Sequence, residues 1–180
     1  MSRQFASRDF RVSNGLAGVS AAQPRYLLVK IGGYEFAVAA EHIKQLIPTP
    51  EIVPLPGAPA WCQGLLAFGQ TAVPVLDSHL ILGLVRGSGK APVAVVLEPG
   101  VSSEFPVLAF SVDRLTITIS IRPHELSPIR ESSSLYFREF VTAAWRGRSR
   151  PCYLLNLAAM IPIAELNQLP AVLRGNLASN

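Results

Sequence analysis

Few side chains in this sequence are of types that do chemistry, and their spacing does not assemble any. Cys62 and Cys152 are the only cysteines. They make no disulfide framework, and each is expected to be a reduced, buried or half-buried thiol. His42, His79 and His124 lie far apart, with neither His-Glu-x-x-His nor i, i+4 spacing, so surface or capping roles are expected rather than metal ligation. Asp77 and Asp113 each end an apolar run, where capping and turn roles account for them. Ser132-Ser133-Ser134 sits in loop sequence, and no Gly-x-Ser-x-Gly elbow is present. Arg86-Gly87-Ser88-Gly89-Lys90 approaches a phosphate-binding loop. That loop needs Gly at 84 and Ser or Thr at 91, where the chain has Leu84 and Ala91, so a flexible linker is expected. The 12 carboxylates are scattered and form no acid–base pair. No enzyme, no cofactor and no metal site is expected.

The net charge of +4 and the pI near 9.4 raise the question of nucleic acid. Residues 1–25 hold Arg3, Arg8, Arg11 and Arg25 against Asp9, which leaves twelve basic and eleven acidic residues for the rest. The basicity belongs to a short arm, and the remainder is nearly neutral. Arg146-Gly147-Arg148-Ser149-Arg150 reads as a solvated hairpin turn. A small barrel that binds nucleic acid through the arm and the Arg146–Arg150 turn is the alternative function. An enzyme accessory subunit is a third.

The elements that must carry these residues are mostly strands. The chain has 180 residues, 49% hydrophobic and 16% charged, which suits one domain or two very small ones and a compact β-rich fold. No apolar run approaches the ~18 residues of a membrane span. Residues 1–23 lack the apolar core of a signal peptide. A cytoplasmic location without membrane insertion is expected. Residues 1–24 read as a disordered arm. Tyr26–Ile31 and Tyr34–Val38 read as strands around a Gly32-Gly33 turn, since both positions accept positive φ. Residues 39–47 fit a helical stripe (Ala39, Ile43, Leu46) or a strand (Ile43, Gln45, Ile47). Residues 92–98, 105–112 and 115–121 read as strands, the last with Leu and Ile alternating with Thr and Ser. Residues 122–134 read as irregular loop and 136–145 with 152–156 as a final hairpin. A short helix follows at 157–161, then a C-terminal helix at 164–174 broken at Pro170.

Residues 53–84 are the most informative stretch. Pro54, Pro56 and Pro59 hold an extended loop. Gly64 opens an apolar strand, Gly69-Gln70 turns it, and Thr71–Leu76 returns. Pro74 belongs at an edge or bulge because it has no N–H to donate. Asp77 or Ser78 caps a short helix that Gly83 stops. Leu76–Ile81 is echoed by Leu155–Met160, each passing from an apolar strand through an Asx cap into a short helix. Trp61, Leu65, Leu66 and Phe68 read either as core or as a strand face left for a partner.

This block resembles the chemotaxis coupling protein (CheW-like) family. The proline-rich loop, Gly64, the strand Leu65–Phe68, the Gly69-Gln70 turn, Pro74–Asp77 and the helix Leu80–Gly83 follow that family's pattern. The likeness runs from Tyr26 to about Ile161. It implies a mainly β fold of two SH3-like five-stranded barrels packed side by side, the first at about 26–85 and the second at about 91–162. It implies a non-catalytic adaptor that couples a chemosensory histidine kinase, through the kinase's regulatory domain, to the cytoplasmic tip of a chemoreceptor. The protein-binding positions it implies are Ile43, Gln45, Leu46, Gly64, Leu66, Phe68, Gly69 and Gln70. The chain departs from the pattern at Ala67-Phe68-Gly69-Gln70, where the family usually has Asn-Leu-Arg-Gly. The arginine associated with receptor coupling is therefore absent. Ala109 and Ala143 stand where Gly is usual, which is tolerated at negative φ. An adaptor for a pilus-motility sensory array, or one with a private partner, fits these departures.

Overall fold

The computed structural model describes residues 23–86, 92–100, 106–130 and 134–166. Of the expected arm at 1–24, residues 1–22 lie outside the described residues, as do residues 87–90 of the linker at 86–90 and the part of the C-terminal helix at 164–174 beyond 166. Within them run twelve strands: β1 (Arg25–Ile31), β2 (Tyr34–Ala39), β3 (Ile43–Pro48), β4 (Ile52–Val53), β5 (Cys62–Phe68), β6 (Thr71–Asp77), β7 (Val93–Leu97), β8 (Leu108–Val112), β9 (Arg114–Ser120), β10 (Leu126–Pro128), β11 (Val141–Trp145) and β12 (Cys152–Leu155). Two one-turn helices follow strands, α1 (Ser78–Ile81) and α2 (Leu157–Met160), and a third, α3 (Ile163–Leu166), follows α2.

The strands form two six-stranded sheets, ordered β3-β7-β8-β6-β5-β4 and β9-β1-β2-β12-β11-β10. The expectation of five strands falls short by the two- and three-residue strands β4 and β10, which are too short to carry a period in sequence. In each sheet the two outermost strands are consecutive in the chain. Only residues 49–51 separate β3 from β4, and residues 121–125 separate β9 from β10. At ~3.5 Å per residue these links hold the two edges close together. Each sheet therefore curls into a small barrel, and Thr49 takes a φ of 50° at the first of these corners.

The halves of the chain are repeats with exchanged hairpins. The strands β1 to β6 occupy the same sheet positions as β7 to β12, but each half lends its first hairpin to the other barrel. The hairpin β1–β2 pairs with β9 and β12, and β7–β8 pairs with β3 and β6. The barrels thus differ from the contiguous 26–85 and 91–162 division expected from sequence. Strand patterning tells which side chains share a face. It does not tell which strand lies alongside. The capped helices repeat too. Asp77 Oδ1 accepts from the N–H groups of His79 and Leu80, and Asn156 Oδ1 accepts from Ala159 N–H. Gly83 follows α1 with a φ of 65°, as a terminating glycine does.

Alternation splits the apolar residues into three cores. Leu66, Val73, Val75, Ala94, Val96 and Ala109 fill the first barrel. Leu28, Ala37, Ile121, Cys152 and Leu154 fill the second. The opposite faces of the exchanged hairpins, with Leu27, Val29, Ile31, Phe36, Val38, Val95, Leu97, Leu108, Phe110 and Val112, meet in a larger layer between the barrels. The small residues Ala109 and Ala143 pack inside the barrels without positive φ. Pro74 sits one residue before β6 begins its parallel pairing with β8 at Val75, a local edge where a missing N–H leaves no gap in the ladder.

A polar link crosses the same boundary. His79 on α1 is almost fully buried, and its Nε2 lies 2.8 Å from Asp113 Oδ1. The other oxygen of Asp113 accepts from Gly32 N–H at 2.8 Å. The expectation of a surface or capping histidine is corrected here: the turn of β1–β2 and the corner between β8 and β9 close over it. Asp77, beside it, pairs with Arg86 at 2.7 Å. Burial pushes the Asp77 carboxyl up, but hydrogen bonds from Gln63 and Leu80 N–H and the Arg86 charge outweigh it and hold the pKa below the usual value.

Two outcomes follow. Ionised Asp77 contributes stability that is present above the unfolded carboxylate pKa, about 3.9, and is lost as pH falls through its lower folded value. Urea melts from pH 7 down to 3 should show a loss at the acid end that Asp77→Asn reduces. Gly64 is buried, with a φ of 140°, and a Cβ there would run into the Val53 carbonyl. Gly64→Ala should cost on the order of 3 kcal/mol in thermal or chemical unfolding, from backbone strain and overpacking together.

Candidate protein-binding surfaces

The expected contact residues all fall on the first barrel, but they do not form one exposed patch. Ile43, Gln45 and Leu46 lie on β3, an edge strand whose pairing is with β7. A bulge between Ile43 and Gln45 shifts the register. It places Ile43 and Leu46 against the core between the barrels, although they are three residues apart, and leaves Gln45 exposed. This resolves the ambiguous 39–47 stretch: residues 43 and 46 share a side as in a helix, yet the element is a strand. Lys44 on the same strand pairs with Glu98.

The remaining positions divide. Gly64 and Leu66 are buried, Gly64 under Val53 and Leu66 inside the barrel, so neither meets a partner directly. Phe68 is half-buried against the barrel core, and Gly69 and Gln70 are exposed at the turn. Gly69 carries the positive φ of that turn, 60°. Thr71 Oγ1 donates to Phe68 O at 2.9 Å and fastens the turn. The left-handed conformation of Gly69 is one that side-chain-bearing residues adopt at a cost.

Sequence reasoning missed a second surface. The repeats bring α1 and α2 together across the boundary between the barrels. Trp61 O accepts from Asp77 N–H and Phe140 O from Asn156 N–H, at 2.7 and 2.8 Å, so the two aromatics hold equivalent places. Between them lies an apolar groove of about 270 Å³ lined by Trp61, Leu80, Ile81, Phe140, Ala159 and Met160, among others. Leu80 is 53% exposed at its rim. The only signal for it in the sequence was the helix echo at 76–81 and 155–160.

Among the described residues no group of three His, Cys, Asp or Glu side chains is placed to hold a metal ion. Both cysteines are buried and unpaired with each other. The Cys152 thiol is pushed up to about 12, first by burial and then by the Glu35 charge, with Arg148 opposing, so it carries no thiolate at neutral pH. Among the described residues no helix is long and apolar enough to cross a membrane.

Comparison with known proteins agrees with this architecture. No curated protein matches the chain. The solved scaffolding protein TtCheW from Thermoanaerobacter tengcongensis superposes with a TM-score of 0.68 at 15% identity, over 78% of this chain and 93% of that one, which is a likeness of fold. The family model described as CheW-like domain matches residues 25–165, the whole double barrel from the first strand to the last short helix. With the proline loop, the Pro-Val-x-Asp strand and the exchanged barrels in place, the chain belongs to the CheW-like domain family.

Proposed function

We propose that this protein is a non-catalytic chemosensory adaptor of the cytoplasm that binds the regulatory domain of a histidine kinase through its first barrel. The observation that carries this reading is the edge strand β3. It presents Gln45 and a ladder edge paired only on its β7 side, on the barrel that also exposes the Gly69-Gln70 turn, and an unpaired edge is a template for a barrel of the same kind. The reading uses Gln45, Phe68, Gly69 and Gln70 as the contact face, with Ile43 and Leu46 setting the strand's position from behind. The interface is expected to bury on the order of 1,200–2,000 Å² in total, the range of specific reversible complexes.

The groove between α1 and α2 supplies the place for a second, weaker partner. An apolar trough with a protruding leucine suits the apolar stripe of a helical hairpin, the form of a chemoreceptor tip. Gly69, which stands in place of the family arginine, lies at the far end of β6 from this groove, so receptor binding would rest on the apolar groove alone. A receptor of a flagellar array would be held loosely, and an array serving pilus motility, or a private receptor, is the better match.

Titration of the full chain against the kinase regulatory domain by calorimetry should give a complex at micromolar concentrations. No heat and no complex at tens of micromolar, with both proteins folded, defeats the kinase reading. Leu80→Asp should weaken capture of a receptor tip fragment by about tenfold, the loss of one central apolar contact, and leave kinase binding and the melting temperature unchanged. Equal loss of both partners would place them on one surface instead of two.

A further inference from the structure

The open end of the second barrel is basic in a way that the adaptor reading does not use. Lys30 on β1 stands opposite Glu35 on β2 and, on its other side, opposite Arg114 on β9. Glu35 is in turn opposite Cys152 on β12. These four residues form one row across the sheet. Cys152 belongs to the barrel interior, so the row lies at the barrel's mouth. The turn between β11 and β12 leans over that mouth. Arg148 on it reaches Glu35 at 3.6 Å, and Arg150 and Ser149 line the same cleft with Lys30, Tyr34 and Tyr153. The cleft encloses about 510 Å³.

The charges there are unbalanced. Glu35 is the one carboxylate of the row and is taken by Arg148. Among the described residues Lys30, Arg114, Arg146 and Arg150 form no ion pair. Lys30 and Arg114 face each other directly, an arrangement that costs energy unless an anion lies between or above them. The turn is also not a loose one. The Trp145 ring fills the space where Gly147 would carry a Cβ, so the backbone that bears Arg148 and Arg150 is packed down.

We propose that this cleft binds an acidic segment of a protein partner, with Lys30 and Arg150 engaging its carboxylates and Arg148 held in place by Glu35. The ammonium of Lys30 and the guanidinium groups of Arg148 and Arg150, gathered at one cleft, suit discrete carboxylates. Nucleic acid fits less well. Tyr34, Phe36 and Tyr153 pack T-shaped against Phe137 at centroid distances of 4.9, 5.1 and 5.1 Å, and of these rings only Tyr34 is exposed, which makes a poor stacking platform. Glu35 at the centre of the row would also repel a continuous run of phosphates. The chain after residue 25 has nearly balanced charge, so this basic mouth is a local feature rather than part of a general cationic face.

The test is fluorescence anisotropy of a fluorescein-labelled hexaglutamate peptide with the full chain, at low ionic strength because such contacts are screened by salt. The chain should bind the peptide. Lys30→Ala with Arg150→Ala should weaken binding by about tenfold, the worth of two exposed ion pairs. Arg150→Ala alone, at an exposed turn position where truncation leaves the barrel core untouched, should give part of that loss. Glu35→Gln, which keeps a hydrogen-bond acceptor for Arg148 and removes the repelling charge, should tighten binding by about threefold. Peptide binding that survives both the double and the single substitution places the site on the arginines of residues 1–25 and overturns the proposal. An oligothymidylate that binds more tightly than the peptide, and is lost with the same substitutions, assigns the cleft to nucleic acid and also overturns it. So does the absence of peptide binding by a folded sample.

Discussion

The layer of side chains between the two barrels is the constraint on which the rest of this structure depends. Each barrel is too small to bury much apolar area alone, and its interior is filled largely by Ala, Val, Leu and Cys. The hairpins β1–β2 and β7–β8 have a second apolar face, and the two faces cover each other. A buried leucine or phenylalanine in such a layer contributes about 1.5–3 kcal/mol. Phe36, Leu97, Leu108 and Phe137 are among those fully enclosed there. Exchange of the hairpins makes this layer covalently unavoidable: neither barrel can form without strands from both halves of the chain. Folding should therefore be cooperative across the whole described domain, and slowed by its non-local pairings.

The polar link at the same boundary serves precision more than stability. A buried histidine paired with a carboxylate gains little net free energy once the desolvation of both is counted. What it does is fix geometry. Asp113 holds His79 with one oxygen and Gly32 N–H with the other, so the turn of one barrel, the corner of the next and the start of α1 keep one arrangement. The groove between α1 and α2 inherits its shape from that arrangement, since both helices are placed by caps at the ends of β6 and β12.

Two kinds of surface result from one repeated unit. The first barrel ends in a tight Gly69-Gln70 turn and an unpaired edge strand, both nearly neutral. The second barrel carries at the equivalent turn the longer, arginine-bearing segment 146–150 beside Lys30. Divergence between the repeats has thus gone into turn length and charge, while the strand order and the capped helices have been kept. Loops on a fixed scaffold can change in this way without disturbing the buried layer.

The sequence by itself determined the local elements. Glycines with positive φ at 32, 33, 69 and 83 marked the turns, Asp77 and Asn156 marked two helix starts, and period-2 alternation marked most strands, because each of these depends on a residue's own backbone and near neighbours. The proline block and the helix echo were enough to point to the family and to the double barrel. Only the tertiary structure decided what lies beside what. Alternation could not say that β1–β2 belongs with β9 and β12, since pairing energy is nearly the same for any strand of suitable pattern and the choice rests on the layer as a whole. A bulge put Ile43 and Leu46 on one side, where the simple period separates them. Gly64 proved buried because the Val53 carbonyl of β4, a strand of two residues unreadable in sequence, lies against it, and Leu66 because its side chain enters the barrel core. His79 became an interior residue because Asp113, remote in sequence, was brought to within 2.8 Å of it. In each case the deciding contact comes from a segment distant in the chain, and a pattern read along the chain carries no record of it.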